Sequence, residues 1–170
     1  RIAETPIFID NDLQHQLLEG CRDVISFIQD HEFKNLTSKS LDVNFNVPNE
    51  DLHTTFLAID FGICEENGNI VPKLIEVQGF PSLFNYQPEL YNKFVQCYPF
   101  LKQLTPFLNG ITEKEYFEIL QDAILAGHDP KHVVLLGIEP EKQNTLIDFL
   151  YCKKHFGIEI LCITDIRKKG

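Results

Sequence analysis

Apolar residues recur at helical spacing near the start of the chain, where Leu13, Leu17, Val24 and Ile28 punctuate an otherwise polar stretch reaching about Glu32. Asp10 or Asn11 is placed to cap this helix. The pattern then lapses. Phe33 to His53 is polar and Asn-rich, with Pro48, Asn49, Glu50 and Asp51 marking a loop, and reads as a flexible connection. Thr54 to Cys64 reads as a strand, Glu65 to Asn69 as a turn and Val71 to Gln78 as the returning strand, ended by Gly79, Phe80 and Pro81.

Leu83 to Leu101 is expected to be helical and aromatic-rich, with Pro88 near its start and Pro99 near its end. The run Thr105 to Gly110 is the best candidate for a boundary between substructures. Beyond it, Thr112 with Glu115 forms a capping box for a helix to about Ala126, closed by Gly127. His132 to Ile138 is a continuous apolar run, Glu141 to Phe156 reads as a helix stopped by Gly157, and Ile158 to Thr164 is a second apolar run. Apolar strand, helix, apolar strand is the order of a parallel βαβ unit, with strands expected to be buried on both faces.

The hairpin has a parity of its own. Leu57, Ile59, Phe61 and Ile63 are all large and apolar, while the alternate positions are Phe56, Ala58, Asp60, Gly62 and Cys64. On the return, Ile75 and Val77 are apolar and Leu74, Glu76 and Gln78 alternate with them. Cross-strand partners share a face, so the apolar rows align only if paired residue numbers have an even sum. A two-residue Asn67-Gly68 turn gives an odd sum, so the pattern predicts a three-residue loop of Asn67, Gly68 and Asn69. Asp60 then faces Glu76, and Ala58 faces Gln78.

Composition narrows what such a pairing can belong to. The 170 residues are 44% hydrophobic, enough for one domain or one domain plus part of another. The formal charge of -10 is a poor match to a phosphate backbone, which argues against a nucleic-acid partner. No apolar run approaches the roughly 20 residues that cross a bilayer, and Arg1 to Asp10 lack the apolar core of a signal peptide. A cytoplasmic protein with no membrane partner is expected. Cys21, Cys64, Cys97, Cys152 and Cys162 are odd in number and widely spaced, which suits buried free thiols better than disulfides or a zinc site. The absence of Met, and an end directly after a strand-like run, read as a piece of a longer protein.

Two carboxylates directly opposite in a sheet, with Cβ atoms about 5 Å apart, destabilise it unless something compensates. The possible compensations are a shared proton, a nearby cation such as Lys73, exposure to water, or a divalent cation. Mg²⁺ suits one or two carboxylates, retained waters and substrate phosphate oxygens, and the Gln78 amide oxygen completes a candidate set. Ala58 and Gly62 flank Asp60 on the same face and leave room for a ligand.

The string Ala58-Ile59-Asp60-Phe61-Gly62, a Gly-containing turn, and Leu74-Ile75-Glu76-Val77-Gln78 resembles the metal-binding hairpin of ATP-grasp ligases, in which an Asp precedes a Glu-x-Asn. Val133 to Gln143, the following helix and Phe156 to Ile160 look like the strand, helix, strand unit that follows this hairpin in circularly permuted ATP-grasp proteins, the group of glutathionylspermidine synthetase. The resemblance covers roughly Thr54 to Asp165. It implies an α/β fold: residues 1–104 form part of an ATP-grasp-like lobe of α+β character carrying the hairpin 54–78, and residues 111–170 a Rossmann-like βαβ unit truncated at its C-terminus.

It also implies Mg²⁺ and ATP as cofactors, Asp60 and Glu76 as metal-binding acids with Gln78 where the family has Asn, and a small-molecule carboxylate and an amine as substrates. Gln is one methylene longer than Asn, and the Asp60 to Glu76 separation is longer than in the family. The glycine-rich phosphate loop and the nucleotide-covering lysine of the family would follow Gly170 in the permuted order. These residues alone are therefore expected not to turn over ATP. The alternative is a non-catalytic scaffold or small-molecule-binding module with a degenerate metal site.

Other groupings compete with plainer readings. Gly79 and Ser82 could shape the substrate side of the site or simply form a strand-to-helix turn. His128, Asp129 and His132 could form a metal or acid/base site, or the turn chemistry of a helix end. Arg1, Glu4 and Thr5 fit a solvated terminus. Cys64 lies on the site face without a base partner, and Tyr91, Phe94 and Phe100 fit a core.

Overall fold

The computed structural model describes residues 6–45, 47–49, 54–79 and 82–167 and is a mixture of helix and strand. Its contacts divide the chain between Pro81 and Ser82 into two compact units. Among the described residues no helix is long and apolar enough to cross a membrane.

The first unit opens with α1 (Asn11–Gln29), capped by Asp10, whose Oδ1 accepts from the Leu13 N–H at 2.8 Å. The helix does not run on to Glu32. Asp30 leaves helical geometry (φ -66°, ψ 135°), and its carboxylate accepts from the Glu32 N–H at 2.7 Å, so one residue ends α1 and caps α2 (His31–Ser38). Phe27 and Phe33 close this elbow with ring centroids 4.8 Å apart. The expected loop from Phe33 to His53 is thus helical at its start, and a 3₁₀ turn at Val43–Phe45 follows; Asn46 and residues 50–53 lie outside the described residues.

The hairpin consists of antiparallel β1 (Ala58–Glu66) and β2 (Asn69–Gln78). Its turn is the two-residue Asn67-Gly68, both at positive φ (53° and 81°), a combination that matches the twist of a tight hairpin. The expected three-residue loop is therefore wrong. Register is restored further along, where Phe61 pairs with Leu74 but Asp60 pairs with Glu76, leaving Ile75 as an extra residue in β2. The bulge also takes Ile75 out of the core row: it reaches toward Gly62, where an added Cβ would stand 3.4 Å from Ile75 Cδ1, and it is 68% exposed.

Helix α1 packs on the hairpin. A Cβ at Gly20 would fall 3.1 Å from two ring atoms of Phe61, so the glycine lets helix and strand approach closely. At the open end of the hairpin, Thr54 Oγ1 lies 2.8 Å from both the Phe56 and Gly79 carbonyl oxygens.

The second unit begins with α3 (Tyr86–Cys97), followed by a separate 3₁₀ turn at Pro99–Gln103 rather than one helix from Leu83 to Leu101. Pro99 starts that turn because it needs no N–H partner there. The expected capping box is present at α4 (Glu113–Leu125), with Thr112 and Glu115 hydrogen-bonded reciprocally. Chain reversal after it uses Ala126 and Gly127, both at positive φ.

Strands β3 (Val134–Gly137) and β4 (Glu159–Cys162) pair in parallel, with α5 (Leu146–Phe156) between them in sequence and Gly157 (φ 72°) ending that helix. Pro140–Lys142 forms a 3₁₀ turn, and Gln143 is extended, so α5 starts later than the expected Glu141. The strands are not buried on both faces. Val134, Leu136 and Leu161 share one face and are 40–43% exposed, because a two-stranded sheet has α5 against it and no second layer among the described residues. The core is made by Leu101, Leu120, Leu125, Phe149, Cys152, Phe156 and Ile158. All five cysteines are free, as expected, but only Cys152 is buried among the described residues, and Cys64 and Cys97 are exposed, against the expectation of buried thiols.

Candidate metal centre

The hairpin bulge decides which side chains meet. Asp60 lies directly across from Glu76, and Ala58 across from Gln78, so the two acids and the amide share one open face. Without the extra residue at Ile75, a two-residue turn would carry the odd sum through to the strand end and send Asp60 and Glu76 to opposite faces. All three side chains are exposed.

The compensation for paired like charges is visible. Gln78 Nε2 donates to Glu76 Oε1 at 2.6 Å and reaches Asp60 Oδ2 at 3.4 Å. Lys73, the cation nearest in sequence, is engaged elsewhere: its Nζ is 2.8 Å from Glu66 Oε1, and that hydrogen bond pushes the lysine pKa up. An amide spans the carboxylates but cannot neutralise them.

Among the described residues no group of three or more His, Cys, Asp or Glu is placed to hold a metal ion. The hairpin offers two carboxylates plus one amide. That donor set fits Mg²⁺, which keeps most of its waters and takes one or two carboxylates together with phosphate oxygens, and does not fit a fully protein-ligated ion.

The remaining candidates are placed less favourably. The Gly79 carbonyl oxygen is used by Thr54, while Ser82 is half-buried at the start of the second unit; Phe80 and Pro81, between them, lie outside the described residues, as do Arg1, Glu4 and Thr5. Cys64 is exposed and pairs across the hairpin with Val71. Asp129 accepts from the Lys131 N–H at 2.9 Å and caps the 3₁₀ turn Pro130–His132, so the His128 to His132 segment has the turn chemistry of its plainer reading.

Two polar features escaped sequence reasoning. Asp148, on α5 and 4% exposed, accepts from the backbone N–H groups of Asn85 (2.8 Å) and Tyr86 (2.9 Å), capping α3 from 62 to 63 residues away. The available signal was one acid inside the apolar run Leu146-Ile147-Asp148-Phe149-Leu150. The second is His155, 4.3 Å from the Phe117 ring centroid, with Nε2 3.3 Å from Glu89 Oε1 but poorly aligned for a hydrogen bond. Burial pushes its pKa down, and Glu89 opposes this only in part.

No protein-family model, curated protein or solved structure matches the chain.

Proposed function

We propose that the chain carries the metal-holding hairpin of an ATP-grasp-like carboxylate-amine ligase, with Asp60 and Glu76 holding Mg²⁺ on nucleotide phosphates and Gln78 beside them. The observation that carries this reading is the direct pairing of two exposed carboxylates in a sheet, which costs stability on its own and gains a purpose when a divalent cation bridges them. Bound Mg²⁺ would supply charge neutralisation at the phosphates. The protein's part is to hold both acids on one face, with only the small Ala58 beside Asp60 and across from Gln78, while the Ile75 side chain lies over Gly62. The parallel pairing of β3 with β4 after the hairpin supports a Rossmann-like unit in the permuted order.

A second reading is favoured by the short Gln78 to Glu76 hydrogen bond: the amide makes the pair self-sufficient, as in a scaffold that has lost its metal. Isothermal titration of Mg²⁺, with and without ATP, into the chain and into Asp60→Ala separates the two. The ligase-hairpin reading expects saturable binding that the substitution abolishes. No binding, or binding indifferent to Asp60, would leave the scaffold reading in its place.

A further inference from the structure

The elbow between α1 and α2 is concave, and its lining is chemically divided. Asp30 breaks the helix there, so Phe27 of α1 and Phe33 and Leu36 of α2 line one cleft of about 480 Å³, room for apolar side chains and not for water alone. Around that apolar floor stand Asp23, Ser26, Asp30 and Glu32, and their spacing puts Asp23, Ser26 and Phe27 on one face of α1. All four polar residues are exposed, and no lysine or arginine is among the residues that line the cleft. Phe27 and Leu36 are left 63% and 64% exposed.

We propose that this elbow is a docking site for a basic amphipathic helix of a partner protein, which seats apolar side chains between Phe27 and Leu36 and sets Lys or Arg against Asp23, Asp30 and Glu32. Charge decides the class of partner. Three carboxylates with no lysine or arginine among them repel nucleic acid and anionic membranes and attract a cationic segment, whose Arg side chains also gain from stacking on the Phe27 ring. Shape decides its form. A small ligand is held by burying most of its surface, which a cleft with so open a floor does not do, and an extended peptide needs an unpaired strand edge that two helices do not offer. A helix laid in the groove needs only apolar anchors at i, i+3 and i+4 with basic residues beside them. Asp30 also caps α2 through the Glu32 N–H, so the residue that shapes the cleft contributes to its charge.

The test titrates the full chain into a fluorescein-labelled Leu/Lys peptide of about five helical turns, apolar at i, i+3 and i+4, at about 0.15 M salt, read by anisotropy. Saturable binding is expected. Asp23→Lys, which reverses one rim charge, should weaken it about five- to tenfold, and Leu36→Ala, which removes an anchor from α2 without lowering helix propensity, by a similar factor. Glu141→Lys makes the same change of net charge at an exposed position in the second unit and should alter binding by less than about twofold. Circular dichroism of each variant checks that its helix content is native. Absence of saturable binding, equal weakening by Asp23→Lys and Glu141→Lys, or indifference to Leu36→Ala would each overturn the proposal, the second by reducing the attraction to the chain's net charge of -10. Equally tight binding of a peptide with the same composition in scrambled order would overturn it as well, since the amphipathic face would then contribute nothing.

Discussion

The two units both set carboxylates against N–H donors, but in opposite relation to water. Asp148 in the second unit is 4% exposed and bound to two backbone N–H groups, whereas Asp60 and Glu76 on the hairpin lie in the open and share one side-chain amide. A buried carboxylate cannot exchange its partners without leaving two helix N–H groups unpaired, so it fixes architecture. An exposed pair can exchange its partner for water at small cost. The core follows the same division: the first unit buries Leu13 alone among its described large apolar residues, and the second holds the rest.

The largest expected effect tests the fixed side of this contrast. Asp148→Ala should destabilise the second unit by about 2–4 kcal/mol in chemical denaturation, because it strands the Asn85 and Tyr86 N–H groups. Asp148→Asn keeps an acceptor oxygen there and should retain most of that stability; equal losses in both variants would show that charge, not hydrogen bonding, holds α3.

An intermediate effect concerns acid pH. Burial lowers the His155 pKa below the ordinary 6.5, so the unfolded chain takes up the proton first and the folded state loses stability as pH falls below about 6.5. Glu89 on α3, Lys154 on α5 and Glu113 on α4 all act on this ring, and desolvation outweighs their sum. Denaturation midpoints followed from pH 7 to pH 5 should therefore fall less steeply for His155→Phe than for the native chain. Parallel slopes would remove His155 from the account.

The smallest effect is on the exchangeable side. Asp60→Asn removes one of two facing charges and, without divalent cations, should raise Tm by about 2 °C, a gain that added Mg²⁺ cancels by stabilising only the native pair. A fall in Tm would mean that the Gln78 hydrogen bonds outweigh the repulsion.

Local chemistry was legible in the sequence. Asp10 as a cap, the Thr112 and Glu115 box, and Gly157 as a helix stop each involve residues within a few positions of one another. The Asp60 to Glu76 pairing was also reachable, though through the wrong device. Parity counts residues between partners, and one extra residue in the loop gives the same count as one extra residue in the strand, so periodicity cannot tell a three-residue turn from a bulge at Ile75. The Asp30 break was hidden because α1 and α2 form one nearly continuous helical pattern around a single side chain that caps the second helix. Asp148 was out of reach for the opposite reason, since its partners are 62 and 63 residues away. The exposed faces of β3 and β4 went unforeseen because apolar runs record what could be buried, not how many layers the fold supplies.

That separation also orders events in time. The Asn67-Gly68 hairpin joins neighbours across the shortest of loops and is of a kind that closes in about 1–10 μs, whereas Asp148 meets α3 only after a long stretch of chain has been brought round. Its hydrogen bonds are then expected to form on the late side of the folding barrier, which folding and unfolding rates of Asp148→Asn would check. Losing them should leave the refolding rate nearly unchanged and appear almost wholly as faster unfolding, making the Asp148 cap a lock on the lifetime of the native state.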